Sequence, residues 1–269
     1  MWRDPLLAAL IAGALLGFLG VYVVLRRTVF VSAALTQLST LGLVAAIAVE
    51  ERLGVEVERA GVQLAVAVAF SVAGALLLSR LQAGRRLPSE AGVGIAWVIA
   101  GALAVLGASQ LVHAAHDLGS MVFGSAVAVP TSELAFLAAV ALGCAAVHAL
   151  FVRELVLVSF DAETARAMGI RAGGWNAVLF LTLGLAIPPA ARAIGALPTF
   201  AFLTLPAAAA LLLAARLPRI FAVAAGLGAA SAAIGYGLSW TAQLPTGATM
   251  VAVAGLALVP GAALRLLRG

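Results

Sequence analysis

The chain contains no lysine, a single cysteine and few charged residues of either sign. Charged residues make up 10% of its 269 positions and hydrophobic residues 64%, whereas about a quarter of the residues in a typical soluble domain are charged. A soluble core could not bury this much apolar surface, so the composition indicates a lipid bilayer as the solvent. The lone Cys144 excludes an internal disulfide and is predicted to be a small buried hydrophobe.

Motifs of the common catalytic classes are also missing. The sequence has no Walker A pattern, no nucleophile elbow and no HExxH, so we do not expect an enzyme, a P-loop ATP site or a cofactor bound by this chain. No predicted span carries an Asp, Glu, Lys or Arg near its centre, which argues against proton- or sodium-coupled secondary transport.

Long apolar segments predict about nine membrane-spanning helices, because one span needs about 20 mostly apolar residues. The segments lie at roughly 6–25, 31–49, 61–79, 91–110, 132–151, 174–191, 194–214, 220–240 and 247–264. Glycines at three- and four-residue spacing in the first span (Gly13, Gly17 and Gly20) predict close helix packing. We therefore predict an all-α, polytopic membrane bundle forming a single transmembrane domain over residues 1–269, in contact with lipid.

An odd number of spans places the two termini on opposite sides of the membrane. With the N-terminus outside and the C-terminus in the cytoplasm, twelve of the sixteen arginines face the cytoplasm, in agreement with the positive-inside rule. The net charge of +5 then belongs to cytoplasmic loops, and no nucleic-acid partner is expected.

The longest predicted cytoplasmic loop, about 152–173, contains the polar stretch FDAETARAMGI. Asp161 is placed to cap the start of a short helix and Gly169 to end it. Such a helix is typical of a surface that docks a soluble partner. An ordinary amphipathic connector is the alternative.

Two further groups of residues are candidates for a transport pathway. Gln37, Ser39 and Thr40 give the second span a polar centre, which either lines a polar pathway or ties helices together. Pro198 and Pro206 interrupt the seventh span and either expose backbone carbonyls to a cavity or act as kinks.

Histidines with helical spacing occur in one predicted outer loop. His113, His116 and Asp117 could form a weak divalent-metal site, since two imidazoles three residues apart share a helix face. A solvated loop is the alternative.

Five motifs in order along the chain resemble the membrane subunits of bacterial ABC transporters for zinc, manganese and iron(II). GVYVVLRRTVFVSAALTQLSTLG resembles that family's G-x-x-x-V-x-R-R-x-x-F-x-G-D-A-x-x-H-x-x-x-P-G, and FDAETARAMGI is similar to its F-D-x-E-x-A-x-x-x-G. The other three matching segments are VFGSAVAV at 122–129, IGALPTFAFLTLPAAAA at 194–210, and GYGLSW with LPTG at 235–247. The resemblance covers nearly the whole chain.

The resemblance implies a permease subunit of an ABC importer in the bacterial cytoplasmic (inner) membrane. The 160–170 segment would be a coupling helix, with Asp161, Ala165 and Gly169 on the family's matching positions. The implied partners are cytoplasmic ATPase subunits that bind ATP, an extracytoplasmic metal-binding protein and a second permease subunit, identical or not. The implied cargo is a divalent transition metal that passes between the subunits.

The chain departs from the family pattern in the second span. The family's Asp and His, which the resemblance implies are metal-pathway ligands, align with Ala33 and Gln37. An amide binds zinc or manganese less well than imidazole or carboxylate. Two alternatives therefore stay open: an ABC permease for a metal chelate or other small solute, and, from another class, a non-ABC membrane scaffold or secondary carrier.

Overall fold

The computed structural model of the chain describes residues 3–53, 60–81, 89–111 and 129–266. These ranges contain helices and connecting turns and no strand. Their helices are α1 (Arg3–Leu25), α2 (Val29–Leu53), α3 (Ala60–Leu81), α4 (Ser89–Ser109), α5 (Thr131–Leu150), α6 (Val152–Phe160), α7 (Ala162–Ala167), α8 (Ala172–Ile194), α9 (Ala196–Phe202), α10 (Leu205–Leu213), α11 (Leu217–Ala242), α12 (Thr246–Leu256) and α13 (Leu258–Leu266).

The predicted all-α membrane fold is confirmed, and the predicted count of nine spans is approximate. Within the described ranges, eight helical segments are long and apolar enough to cross a membrane. The segment predicted as a ninth span, 247–264, instead consists of the shorter helices α12 and α13. The seventh span is counted among the eight, although it is interrupted between α9 and α10.

The chain divides into two compact units, each assembled from separate stretches of sequence. The first comprises Met1–Val29, Ser120–Leu142 and Ala190–Gly269, and the second comprises Phe30–Gly119 and Gly143–Pro189. The predicted single domain over residues 1–269 stays a prediction, because two compact units can belong to one functional domain.

In the first unit, α1 and α11 run antiparallel with their backbones in contact. A Cβ placed on Gly13 would meet the carbonyl of Gly228, and one on Gly17 would meet the carbonyl of Ala224. We call Gly13, Gly17 and Gly228 the glycine seam. Small residues permit this approach, since lipid provides little hydrophobic drive for helix association. The packing predicted from the glycine spacing of the first span is therefore confirmed.

The second unit packs α2 against α3 and α4, and α8 against α3 and α5. Small residues again mark the contacts: a Cβ on Gly42 would lie 2.9 Å from the Cα of Ala67, and one on Gly184 would lie 3.0 Å from the Cβ of Ala75. The amide of Asn176 on α8 donates to the carbonyl of Ser79 over 3.2 Å. α6 and α7 also belong to this unit and fill the loop before α8.

Candidate functional site

The predicted helix in the 160–170 segment is present as α7, and Asp161 caps its start. One carboxylate oxygen of Asp161 accepts the backbone N–H of Glu163 over 3.0 Å and that of Thr164 over 2.9 Å. The second oxygen accepts the Thr164 hydroxyl. A carboxylate at this position satisfies N–H groups that have no partner inside the helix and interacts favourably with the helix dipole.

These hydrogen bonds also change the acidity of the cap. The hydrogen bonds from Thr164 hold the pKa of Asp161 below its ordinary value, and the Thr164 hydroxyl contributes more than its backbone N–H. The backbone N–H of Glu163 lowers this pKa further. The charged form is favoured because it accepts all three bonds. Asp161 therefore stays ionised at neutral pH.

Gly169 ends α7 in the left-handed conformation that the sequence predicts. Its φ is +80°, its N–H donates to the Arg166 carbonyl over 3.0 Å, and the Ile170 N–H donates to the Ala165 carbonyl over 2.9 Å. This pair of bonds is the Schellman motif, which satisfies two carbonyls at a helix end. Asp161 and Gly169 thus cap α7 at its two ends.

A small apolar cluster attaches α7 to its neighbours. Ala165 is fully buried, and it packs with Val158 of α6 and Ala172 of α8. Ile170 and Trp175 cover this cluster, and the Trp175 ring lies 4.9 Å from the Phe151 ring between centroids. Ala165 thus brings α7 into direct contact with α6 and α8.

The face of α7 that a partner could touch consists of residues that the sequence analysis did not single out. Phe160, the last residue of α6, is 57% exposed, and Met168, which directly follows α7, is 67% exposed. Glu163 and Arg166 are exposed between them. The sequence signal that could have indicated them is their position, because each directly precedes a capping residue in the polar stretch FDAETARAMGI.

The three predicted coupling residues thus shape the helix. Asp161 begins α7, Gly169 ends it, and Ala165 faces inward. Their role in coupling to an ATPase stays a prediction.

The polar stretch of the second span lies on α2, in the second unit. Thr36 and Thr40 turn their hydroxyls back onto their own helix, donating to the carbonyls of Ser32 and Thr36 over 2.7 and 3.1 Å. Ser39 is buried, whereas Ala33 and Gln37 are half-buried and share one side of the helix at a spacing of four. The side-chain oxygen of Gln37 faces Gly101 of α4, where a Cβ would lie 3.5 Å away.

Pro206 lies in the first unit, at the start of α10. The seventh predicted span is broken at Leu203 and Thr204, and Pro206 is buried just after the break. Gly20 of α1 sits against this break, because a Cβ there would meet the Leu203 carbonyl. The prolines thus accompany an interruption of the helix.

The predicted outer metal site is His113, His116 and Asp117, and all three lie outside the described residues. Within the part of the chain that the structure describes, no group of three or more His, Cys, Asp or Glu side chains could hold a metal ion.

Comparisons with known proteins agree with this architecture. The chain is 31% identical over 188 residues to the manganese transport system membrane protein MntC of Listeria monocytogenes, covering 70% of this chain and 67% of the relative. The solved structure of PsaBC from Streptococcus pneumoniae in complex with Fab matches with a TM-score of 0.81 at 22% identity, covering 96% of this chain and 90% of that one.

A second solved structure has the same fold. It is an inward-facing conformation of a putative metal-chelate type ABC transporter, and it matches with a TM-score of 0.73 at 19% identity, covering 97% of this chain and 83% of that one. The model of the ABC 3 transport family matches residues 1–265. The chain therefore belongs to the ABC 3 transport family and is a multi-pass membrane permease subunit.

Proposed function

We propose that this chain is the permease subunit of an ABC importer that moves a divalent transition metal into the cell, and that manganese is its first candidate cargo. Zinc and iron are the next candidates. A partner subunit binds and hydrolyses the ATP. The observation that carries the proposal is α7, a helix that is capped at both ends and is flanked by the exposed side chains of Phe160 and Met168. The similarity to a protein named for manganese transport supports the choice of metal.

In this proposal α7 is the coupling helix. Phe160 and Met168 enter a groove of the ATPase, where exposed apolar side chains flanked by charge serve as anchors. Closure of two ATPase subunits around ATP then moves α7 as a rigid piece. The buried contact of Ala165 with Val158 and Ala172 passes this movement to α6 and α8.

The proposal also includes the transport pathway and the partner proteins. Gln37, Ser39, Thr40 and Pro206 line the route of the ion, which runs between this chain and a second permease subunit. An extracytoplasmic binding protein delivers the metal to the outer side, near His113, His116 and Asp117. The arginine distribution supports a cytoplasmic membrane location with the N-terminus outside.

Metal accumulation tests the proposal directly. Cells that express this chain with its partner ATPase and binding protein would be compared with cells lacking only this chain, with manganese, zinc and iron measured together by mass spectrometry. The control is the double variant Phe160→Ser/Met168→Ser, which keeps the helix and removes its apolar anchors. We expect a selective gain of one metal with the wild type and none with the control. No gain of any metal, with the complex shown to be assembled, would contradict a free-metal cargo.

A metal chelate is the second candidate cargo, and the side of α2 that carries Ala33 and Gln37 favours it. These half-buried residues stand where the resemblance implies Asp and His, and neither is a good ligand for a bare ion. A chelate keeps its metal coordinated and needs hydrogen bonds instead, which an amide provides.

The two cargoes predict opposite effects of restoring the ligands. With a bare metal, Ala33→Asp/Gln37→His should preserve or increase accumulation. With a chelate, the same variant should lose transport, and ATPase activity of the wild-type complex should respond to the chelate and not to the free metal.

A further inference from the structure

The end of α1 and the start of α11 lie side by side in the first unit. The ring of Tyr22 on α1 lies 4.8 Å from the ring of Phe221 on α11 between centroids. Arg26 comes four residues after Tyr22, and Arg216 comes five residues before Phe221. Because a helix rises about 1.5 Å per residue, both arginines lie about one turn beyond the aromatic pair. We call this end of the unit, with Arg26, Arg27, Arg216 and Arg219, the arginine end.

No side-chain carboxylate of the first unit lies at the arginine end. The sequence of this unit contains two, Asp4 and Glu133. Asp4 is in the first turn of α1, at the opposite end of that helix from Arg26. The Thr131 hydroxyl donates to Asp4 over 3.1 Å, which brings the start of α5, and with it Glu133, to the same opposite end. Glu133 is paired there with Arg192 over 2.8 Å. The positive charge of the arginine end therefore has no counter-charge from its own unit.

The side chains of the arginine end are open to a ligand. Arg27, Arg216 and Arg219 are exposed, and Arg26 is half-buried. Burial lowers the pKa of Arg26 to about 10, so this group still carries its charge at neutral pH. Leu213, at the end of α10 and three residues before Arg216, is 39% exposed. An exposed apolar side chain beside guanidinium groups at the end of a membrane helix fits a molecule with both an acyl chain and a phosphate.

The backbone of Arg27 has a conformation that glycine adopts more easily than arginine. Its φ is +58°, the Thr28 N–H donates to the Val23 carbonyl over 3.1 Å, and the Arg27 N–H donates to the Val24 carbonyl over 3.0 Å. These bonds form a Schellman motif, in which the left-handed position usually holds glycine. A residue with a Cβ is strained in this conformation, and such strain is typical of residues with a functional role. The side chain of Arg27 therefore contributes something that glycine would not.

We propose that the arginine end binds the phosphate of an anionic phospholipid. The guanidinium groups of Arg27, Arg216 and Arg219 donate hydrogen bonds to the phosphate oxygens, and Leu213 contacts an acyl chain. The arginine distribution predicts that this end faces the cytoplasm, so the lipid belongs to the cytoplasmic leaflet. The choice of leaflet rests on the orientation proposed above, whereas lipid binding itself depends neither on the cargo nor on the ATPase.

Lipid binding to the purified full-length chain in a neutral detergent tests this proposal. The chain would be titrated with phosphatidylglycerol or with phosphatidylcholine, and the bound lipids would be counted by native mass spectrometry. We expect phosphatidylglycerol to bind about tenfold or more tightly than phosphatidylcholine, since each arginine near an anionic headgroup contributes about a fivefold preference. Arg27→Gln/Arg219→Gln should remove most of this preference. Arg3→Gln, an exposed arginine at the opposite end of α1, is the matched control and should leave it unchanged.

Inorganic phosphate separates a lipid from a free anion as the ligand. At the same concentration it should displace little phosphatidylglycerol, because it lacks the acyl chain that Leu213 contacts. Displacement of most of the lipid would overturn the assignment to a phospholipid. Equal binding of the two lipids by the wild type would overturn it too.

Arg27→Gly gives a second test with two readouts of different direction. Glycine suits the left-handed conformation, so the thermal unfolding midpoint without added lipid should be unchanged or higher. The rise in the midpoint on adding phosphatidylglycerol should be smaller than in the wild type, because a ligand stabilises the folded chain in proportion to its binding. An equal rise would overturn the proposal. It would also be overturned if the arginine variants lost copurification with the ATPase while keeping the lipid preference, since the ATPase would then be the occupant.

Discussion

The glycine seam and helix α7 are stabilised in opposite ways. In the seam, α1 and α11 touch backbone to backbone over Gly13, Gly17 and Gly228, so its stability comes from contacts distant in sequence. In α7, the cap at Asp161 and the Schellman motif at Gly169 both use residues within a few positions. The comparison indicates that the seam belongs to a rigid support, whereas α7 is a local unit whose outer face is available to a partner.

The largest expected effect comes from filling the seam. In Gly228→Leu the new side chain would collide with the carbonyl of Gly13, a backbone atom that cannot rotate away. Overpacking typically costs about 1–3 kcal/mol, and here we expect the upper end or more. The readouts are the thermal unfolding midpoint and the monodisperse yield in detergent.

Gly226 provides the matched control for this prediction, two residues away on α11. A Cβ on Gly226 meets nothing within 4 Å, so Gly226→Leu should leave the unfolding midpoint unchanged. If both variants lost the same stability, the collision of the new side chain at position 228 with the Gly13 carbonyl would not be the cause, because Leu has a higher helix propensity than Gly at both sites.

The next effect separates binding from stability on α7. Phe160→Ser/Met168→Ser removes two exposed apolar side chains and no internal contact of the caps. We expect the affinity for the ATPase partner to fall about tenfold or more, as for anchor residues at interfaces, with the unfolding midpoint unchanged. Copurification of the two subunits measures the association.

Val152 is the control for that experiment. It is 43% exposed at the start of α6, at the opposite end of that helix from Phe160, so Val152→Ser should not reduce copurification. If the double variant still copurified with the ATPase, the docking surface would lie somewhere other than around α7.

A smaller effect is expected at Gly169. Its φ of +80° is one that L side chains rarely adopt, and the left-handed conformation costs about 1–2 kcal/mol for a residue with a Cβ. Gly169→Ala should therefore speed hydrogen exchange of the α7 amides, and Gly169→Asn should do so less, because Asn tolerates this conformation. Gly173→Ala, at a site with open space and no such φ, should have no effect on α7.

The smallest effect concerns the charge of Asp161. Because its pKa is lowered in the folded chain, the cap contributes stability above the ordinary pKa and loses it only as pH falls through the lowered value. Between about pH 5 and pH 8, the protection of α7 amides, corrected for intrinsic exchange, should stay constant. Asp161→Ala should reduce that protection at every pH in this range. If the protection of the α7 amides changed across this pH range, a group other than the Asp161 carboxylate would be responsible for the cap.

Some features of this chain follow from rules that act over a few residues. The cap at Asp161 was predictable because a side-chain oxygen reaches N–H groups two and three positions later. The end at Gly169 was predictable because a left-handed residue favours glycine. The break in the seventh span was only partly predictable, since Pro198 and Pro206 are compatible with a kink as well as with the observed interruption at Leu203 and Thr204.

Composition and the lengths of the apolar runs were enough for the all-α membrane fold, because every backbone polar group in lipid must be satisfied within a helix or a closed barrel. Only the tertiary structure decided which side chains contact each other. Thr182 lies 34 positions from His148, Gly228 lies far along the chain from Gly13, and the inward face of α7 depends on Val158 and Ala172. Such pairings depend on how whole helices pack against each other. The fit of two helices depends on the shapes of all the side chains along their contact, and a short stretch of sequence contains only a few of these.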